Sequence, residues 1–187
     1  MNVSFTPREV SELSGTPRWT VEKAIEQGVL TPAHARLRRH RRQRLLPLYA
    51  IAYVRVIDGI DLGLSKPMKK RLADGLSKLD VQAFANARIE ITPAVELDLG
   101  RLVGDAMTRA HAYGLARDAL IVEDGEAPGG ERVIKGVGVS VYALASRALK
   151  ARRLADLRNE YPDLPEGAIE AAQIYARAHP RLGRRPA

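Results

Sequence analysis

Between residues 36 and 44 the chain reads Arg-Leu-Arg-Arg-His-Arg-Arg-Gln-Arg. Arg36, Arg38, Arg39, Arg41, Arg42 and Arg44 carry permanent positive charge, and His40 sits among them. Cations at this density repel one another unless a polyanion lies against them, and a guanidinium fork matches two phosphate oxygens at once. The chemistry this run suits is phosphate neutralisation, not bond breaking. A second set, Thr16, Arg18, Trp19, Thr20 and Lys23, lies just upstream. Thr16 and Arg18 fall at the start of a helical pattern, where backbone amides and positive charge favour an anion. Trp19, Thr20 and Lys23 are expected to project where a major groove would lie.

No residue pattern points to catalysis or to a bound metal. Cysteine is absent, which removes disulfides and thiolate chemistry. His34, His40, His111 and His179 have no ligand spacing, and no P-loop, nucleophile elbow or dinucleotide fingerprint occurs. The expected catalytic, metal and cofactor sets are therefore empty. With a net charge of +8, 45% hydrophobic residues and no run of 18 apolar residues, the chain reads as a folded, soluble, cytoplasmic protein with an anionic partner and no membrane partner.

The elements that position these residues follow from local signals. Thr6-Pro7-Arg8-Glu9 starts a helix with a capping box, and Gly15 ends it. Thr16-Pro17 repeats the start, and the second helix runs to about Gln27 with Gly28 as its stop. Val21, Ala24 and Ile25 share its inner face, which leaves Trp19, Lys23 and Glu26 outward and Thr20 at the edge. Two capped helices joined by a tight glycine turn form the core of a helix-turn-helix. Val29-Leu30-Thr31-Pro32 and Leu45-Leu46-Pro47-Leu48 flank the arginine run and read as two wing strands.

Helical spacing resumes over residues 49–60 and again after Ser65-Lys66-Pro67, where Met68, Leu72, Leu76 and Leu79 recur. Alternation at Ile89, Ile91, Val95, Leu97 and Leu99 predicts two short strands around Thr92-Pro93. A helix is expected from about Leu102 to Leu115. Short strands at 120–122 and 133–134 then bracket the turn from Gly125 to Gly130, where Gly129 and Gly130 permit positive φ. Three helices follow, over about 141–152, 154–161 and 165–178, with Asp163 as a candidate cap for the last.

The segment from Phe5-Thr6-Pro7-Arg8-Glu9 through Gly15 to Gly28-Val29-Leu30 resembles the start of a MerR-like winged helix-turn-helix. Further on stand Pro128-Gly129-Gly130-Glu131-Arg132-Val133-Ile134-Lys135-Gly136, Val139-Ser140-Val141-Tyr142 and Glu160-Tyr161-Pro162-Asp163-Leu164. These resemble a small bacterial domain of formally unknown function, with a homeodomain-like helical fold, found in antitoxins of type II toxin–antitoxin pairs. Such VapB-type antitoxins bind a PIN-like ribonuclease. The sequence departs at Val137-Gly138-Val139, where that family has threonine, arginine and isoleucine. PIN-type nucleases hold metal with clustered carboxylates, so one or more of the tail arginines, Arg181, Arg184 and Arg185, is expected to enter the toxin's acidic pocket and neutralise it.

The sequence thus predicts a mainly α protein with short β elements. Residues 1–62 are a winged helix-turn-helix, 63–116 connecting helices and strands with a candidate dimerisation region, 117–178 a homeodomain-like three-helix domain preceded by a β-hairpin, and 179–187 a basic tail. The expected function is that of a non-enzymatic antitoxin that neutralises a PIN-like ribonuclease and represses its own operon on operator DNA. A homodimer and a toxin–antitoxin hetero-oligomer would be the working species. The alternative is a stand-alone MerR-like regulator that senses a small ligand.

Overall fold

The computed structural model describes residues 3–36, 42–60, 63–93, 95–123, 131–150 and 154–181. The described chain is mainly helical with a few short antiparallel strands. It divides into two compact units, Met1–His111 and Ala112–Ala187.

In the first unit, strand β1 (Ser4–Phe5) leads into helix α1 (Pro7–Ser14). The expected capping box forms. Thr6 Oγ1 accepts the Glu9 N–H at 3.2 Å, and Glu9 Oε2 accepts the Thr6 N–H at 2.7 Å. Gly15 closes α1 at φ 71°, a left-handed value that glycine adopts without steric cost. Helix α2 (Arg18–Glu26) starts differently from expectation: its N-cap is Pro17, which supplies no side-chain acceptor.

Past α2, Gly28 at φ 65° sets a Schellman closure. The Val29 N–H donates to Ala24 O at 3.0 Å and the Gly28 N–H to Ile25 O at 2.9 Å. Val29 and Leu30 are buried by this closure and form no strand. The hairpin strands therefore lie nearer the arginine run than the apolar segments implied: β2 spans Ala33–Arg36 and β3 spans Arg42–Pro47. β3 is central in a sheet of order β1-β3-β2. Its register sets His34 opposite Arg44 and Arg36 opposite Arg42.

Helix α3 (Tyr49–Gly59) buries Ala50, Ile51, Ala52, Tyr53, Val54 and Val56, so it runs through the core of this unit and packs against α1, α2 and α4 (Lys66–Ser77). Arg55, on its polar side, donates from Nε to Leu102 O at 3.0 Å and from Nη1 to Ser14 O at 3.3 Å, which satisfies a carbonyl in the last turn of α1. A 3₁₀ turn at Ala83–Ala85 buries Phe84 before the hairpin of β4 (Arg88–Thr92) and β5 (Val95–Asp98). Helix α5 (Leu99–Leu120) is longer than predicted at both ends. At its start the Arg101 N–H donates to Asp98 Oδ1 at 3.2 Å. A Cβ on Gly100 would stand 2.1 Å from Ala85 O, so only glycine fits there.

In the second unit, β6 (Ile121–Glu123) pairs antiparallel with β7 (Arg132–Ile134), with Ile121 opposite Ile134. The turn with Gly129 and Gly130 lies outside the described residues. Helices α6 (Val141–Lys150), α7 (Leu154–Glu160) and α8 (Ala168–Ala178) follow. α6 buries Val141, Leu144, Ala145 and Ala148 against an alanine-rich face of α8 built from Ala168, Ala171, Ala172, Ile174 and Ala178. Small side chains there let the two backbones approach closely. α8 begins after Gly167 (φ 77°) without a side-chain cap, so Asp163 does not take the expected role.

Candidate nucleic-acid interface

The outer face of α2 and the flank of β3 form one exposed, shallow concavity lined by Arg18, Trp19, Glu22, Lys23, Glu26 and Arg44. Trp19 is 63% exposed, so its ring is not packed beneath the hairpin. Lys23 Nζ lies 5.9 Å from the centroid of that ring, within cation–π range. The side chains of Arg18 and Arg44 are 52% and 40% exposed, and both reach the carboxylate of Glu22 between them. Arg18 donates from Nε and Nη2 to Oε1 at 3.3 and 3.0 Å. Arg44 Nη2 lies 3.1 Å from Oε1 and 2.8 Å from Oε2.

The start of α2 adds to the positive character of this face. No acidic residue occupies its first turn, no side chain caps it, and Arg18 is its first residue. The positive end of the helix dipole thus carries a further positive charge, an unfavourable arrangement for the isolated helix and a favourable one for a bound anion.

Two of the expected contact residues turn inward. Thr16 is 6% exposed, its hydroxyl hydrogen-bonded with Ser14 Oγ at 2.8 Å and its carbonyl accepting the Ser11 hydroxyl at 2.6 Å. It braces the turn between α1 and α2. Thr20 is 7% exposed and its hydroxyl pairs with Asp58 Oδ1 of α3 at 3.2 Å. One turn before buried Ala24, it lies on the same inner face, and its polarity is satisfied inside the fold. Both threonines serve the scaffold, and the expectation that Thr20 projects outward is corrected.

Arg36 and Arg42 close the described part of the hairpin as strand residues, while Arg38, Arg39, His40 and Arg41 lie outside the described residues. Glu22 was missed in the sequence, although its place four residues after Arg18 was visible. Its second partner, 22 residues away on β3, was not.

Arg181 is engaged within the second unit. Its guanidinium pairs with Glu131, reaches Ser140 Oγ at 3.2 Å and lies 4.4 Å from the ring centroid of Tyr142. The Ser140 hydroxyl donates to Glu131 Oε1 at 2.6 Å, and the Tyr142 hydroxyl donates to His179 O at 2.7 Å. Burial raises the Tyr142 pKa, with the charge of Arg132 acting in the opposite direction. These contacts hold Arg181 against its own unit. Arg184 and Arg185 lie outside the described residues.

Among the described residues no group of three metal-ligating side chains comes together, and no helix is long and apolar enough to cross a membrane. No protein-family model matches the chain, and no curated protein or solved structure matches it either.

Proposed function

We propose that this chain is a DNA-binding antitoxin: its first unit is a winged helix-turn-helix that reads an operator, and its second binds a PIN-like ribonuclease. The observation that carries the DNA reading is the juxtaposition of Arg18, Trp19 and Lys23 on one exposed face of α2 with Arg44 of the adjoining hairpin. In this reading α2 enters the major groove and the hairpin follows the adjacent phosphates. Trp19 offers an apolar surface to a thymine methyl, Lys23 a donor to guanine, and Glu26 an acceptor for a cytosine amine. The antitoxin half rests on the resemblance of the segments around Glu131–Tyr142 and Glu160–Leu164, with a homeodomain-like fold for the three helices. A homodimer would match a palindromic operator, and the toxin complex would repress its own promoter.

The test has two arms. Duplexes selected from a random library should be enriched for one motif and bound in preference to scrambled duplex by a factor of roughly 10³ or more. Selection that enriches nothing contradicts the DNA reading. Co-expression with the product of the adjacent reading frame should yield a co-purifying complex and restore growth, and growth arrest in the presence of the full chain contradicts the antitoxin reading.

One observation favours the alternative of a ligand-sensing regulator. A cavity of about 530 Å³ in the first unit is walled by the roots of the hairpin (Ala33, Leu45, Leu46), by Tyr49 and by Phe84. That volume falls within the range of small-molecule sites. Burial, with the nearby charge of Asp74 second to it, raises the Tyr49 pKa. A small molecule that alters operator affinity in the absence of any protein partner would favour this reading.

A further inference from the structure

Glu22 is a carboxylate set between the two arginines of a face whose cations suit phosphate, with Glu26 the other acid of its lining. An acid there weakens attraction to any polyanion, so its presence needs a reason. Helix stability does not supply one: on a helix, Arg followed four residues later by Glu is the less favourable order of such a pair, and pairs this exposed contribute little to folding. The geometry supplies another. Glu22 is 23% exposed and lies between two guanidiniums more exposed than itself, one from α2 and one from β3. A single nitrogen of Arg44, Nη2, reaches both carboxylate oxygens, at 2.8 and 3.1 Å, which ties the hairpin to α2 at one point. A guanidinium has five donors, and these bonds engage only part of each fork.

On the DNA reading, we infer that Glu22 is a positioning residue that sets operator specificity by clamping the hairpin to the recognition helix. Specific binding requires α2 and the hairpin to meet the duplex in one fixed phase. The Glu22–Arg44 pair establishes that phase before DNA arrives, which removes part of the ordering cost of association. Non-specific binding requires no phase and scales with net positive charge, which Glu22 lowers. One side chain therefore acts with opposite sign on the two kinds of complex. It strengthens the right one and weakens the wrong one, as negative elements do at selective interfaces.

The experiment measures fluorescence anisotropy of the full chain on the library-enriched duplex and on a scrambled duplex of the same composition, from about 50 to about 200 mM KCl. Glu22→Gln should bind scrambled duplex about threefold more tightly at the lowest salt, while its preference for the enriched duplex falls about tenfold. Arg44→Lys, which keeps the charge but lacks the guanidinium donors that stay free for phosphate while Nη2 holds Glu22, should lose preference without gaining non-specific affinity. In an Arg44→Gln background, adding Glu22→Gln should change the preference by less than about twofold, because the two residues act as one unit. An unchanged preference in both Glu22→Gln and Arg44→Lys overturns the clamp, as does the same tenfold loss in the Arg44→Gln background. Equal shifts of both affinities in one direction also overturn it, since they mark a residue that merely supports the fold. Wild-type protein that binds neither duplex overturns the DNA reading itself, a result separate from any of these.

Discussion

Helices α1 and α2 are neighbours of eight and nine residues, and their N-termini are built in opposite ways. α1 begins with a complete capping box and places the acidic Glu9 in its first turn, where it complements the helix dipole. α2 begins with a proline that caps nothing, puts Arg18 at its positive end and has no acid in that turn. One end is closed by side-chain caps, and the other has none, its first charge met only by Glu22 one turn further on. On the proposed reading the difference separates stability from function: α1 would anchor the unit, and α2 would take its favourable partner from a ligand.

The largest effect should follow from disarming the open end. Arg18→Ala with Lys23→Ala should lower affinity for the enriched duplex by about 100-fold, with the thermal unfolding midpoint within a few degrees of wild type. A fall of less than about threefold would break the contrast, because α2 would then be a scaffold helix like α1.

Next in size is the closed end. Glu9 is buried, so Glu9→Ala leaves the Thr6 N–H without its acceptor and should cost roughly 1–2 kcal/mol in a denaturant titration, with the salt dependence of DNA binding unchanged. A changed salt slope would show that α1 also faces the duplex.

A smaller effect is expected from an arginine of the second unit whose charge is already matched. Arg181→Ala removes the pair with Glu131 and the stacking on Tyr142, both on an exposed surface. The loss should be no more than about 1 kcal/mol of stability, with no change in DNA affinity at any salt concentration. Weaker DNA binding would show that open positive charge is not confined to α2 and the hairpin.

The effect confined to alkaline pH belongs to the floor beneath both helices. Burial pushes the Tyr53 phenol up to about 12 from its ordinary 10.0. The folded state thus holds that proton more firmly than the unfolded chain does. Its contribution is complete below pH 10 and is lost as pH rises towards 12. Tyr53→Phe should flatten the alkaline limb of a stability–pH curve, and an unchanged limb would assign that loss to other groups.

What the sequence showed depended on whether a signal was local. The capping box, Gly15, Gly28 and the β4–β5 alternation are set within a few residues, and each appears where it was expected. Val29 and Leu30 misled because an apolar pair after a glycine serves a Schellman closure as readily as it serves a strand. Thr20 misled because a hydroxyl looks like a surface group until Asp58, 38 residues later, turns out to face it. The earlier start of α5 was marked by Asp98 as a cap, a local signal that the apolar periodicity obscured. In the candidate site, Arg18, Trp19 and Lys23 could be read from helical spacing. The Glu22–Arg44 link could not, since it depends on how the hairpin folds back on α2.

The most direct test of the DNA-binding account is the salt dependence of binding to the enriched duplex, compared between wild type and a variant with Arg38, Arg39, Arg41 and Arg42 replaced by alanine. If these arginines neutralise four phosphates, the log–log slope of the variant should be shallower by about 3–4, because each contact releases close to one counterion. An unchanged slope would mean that the arginine run does not touch the duplex, and would contradict the account.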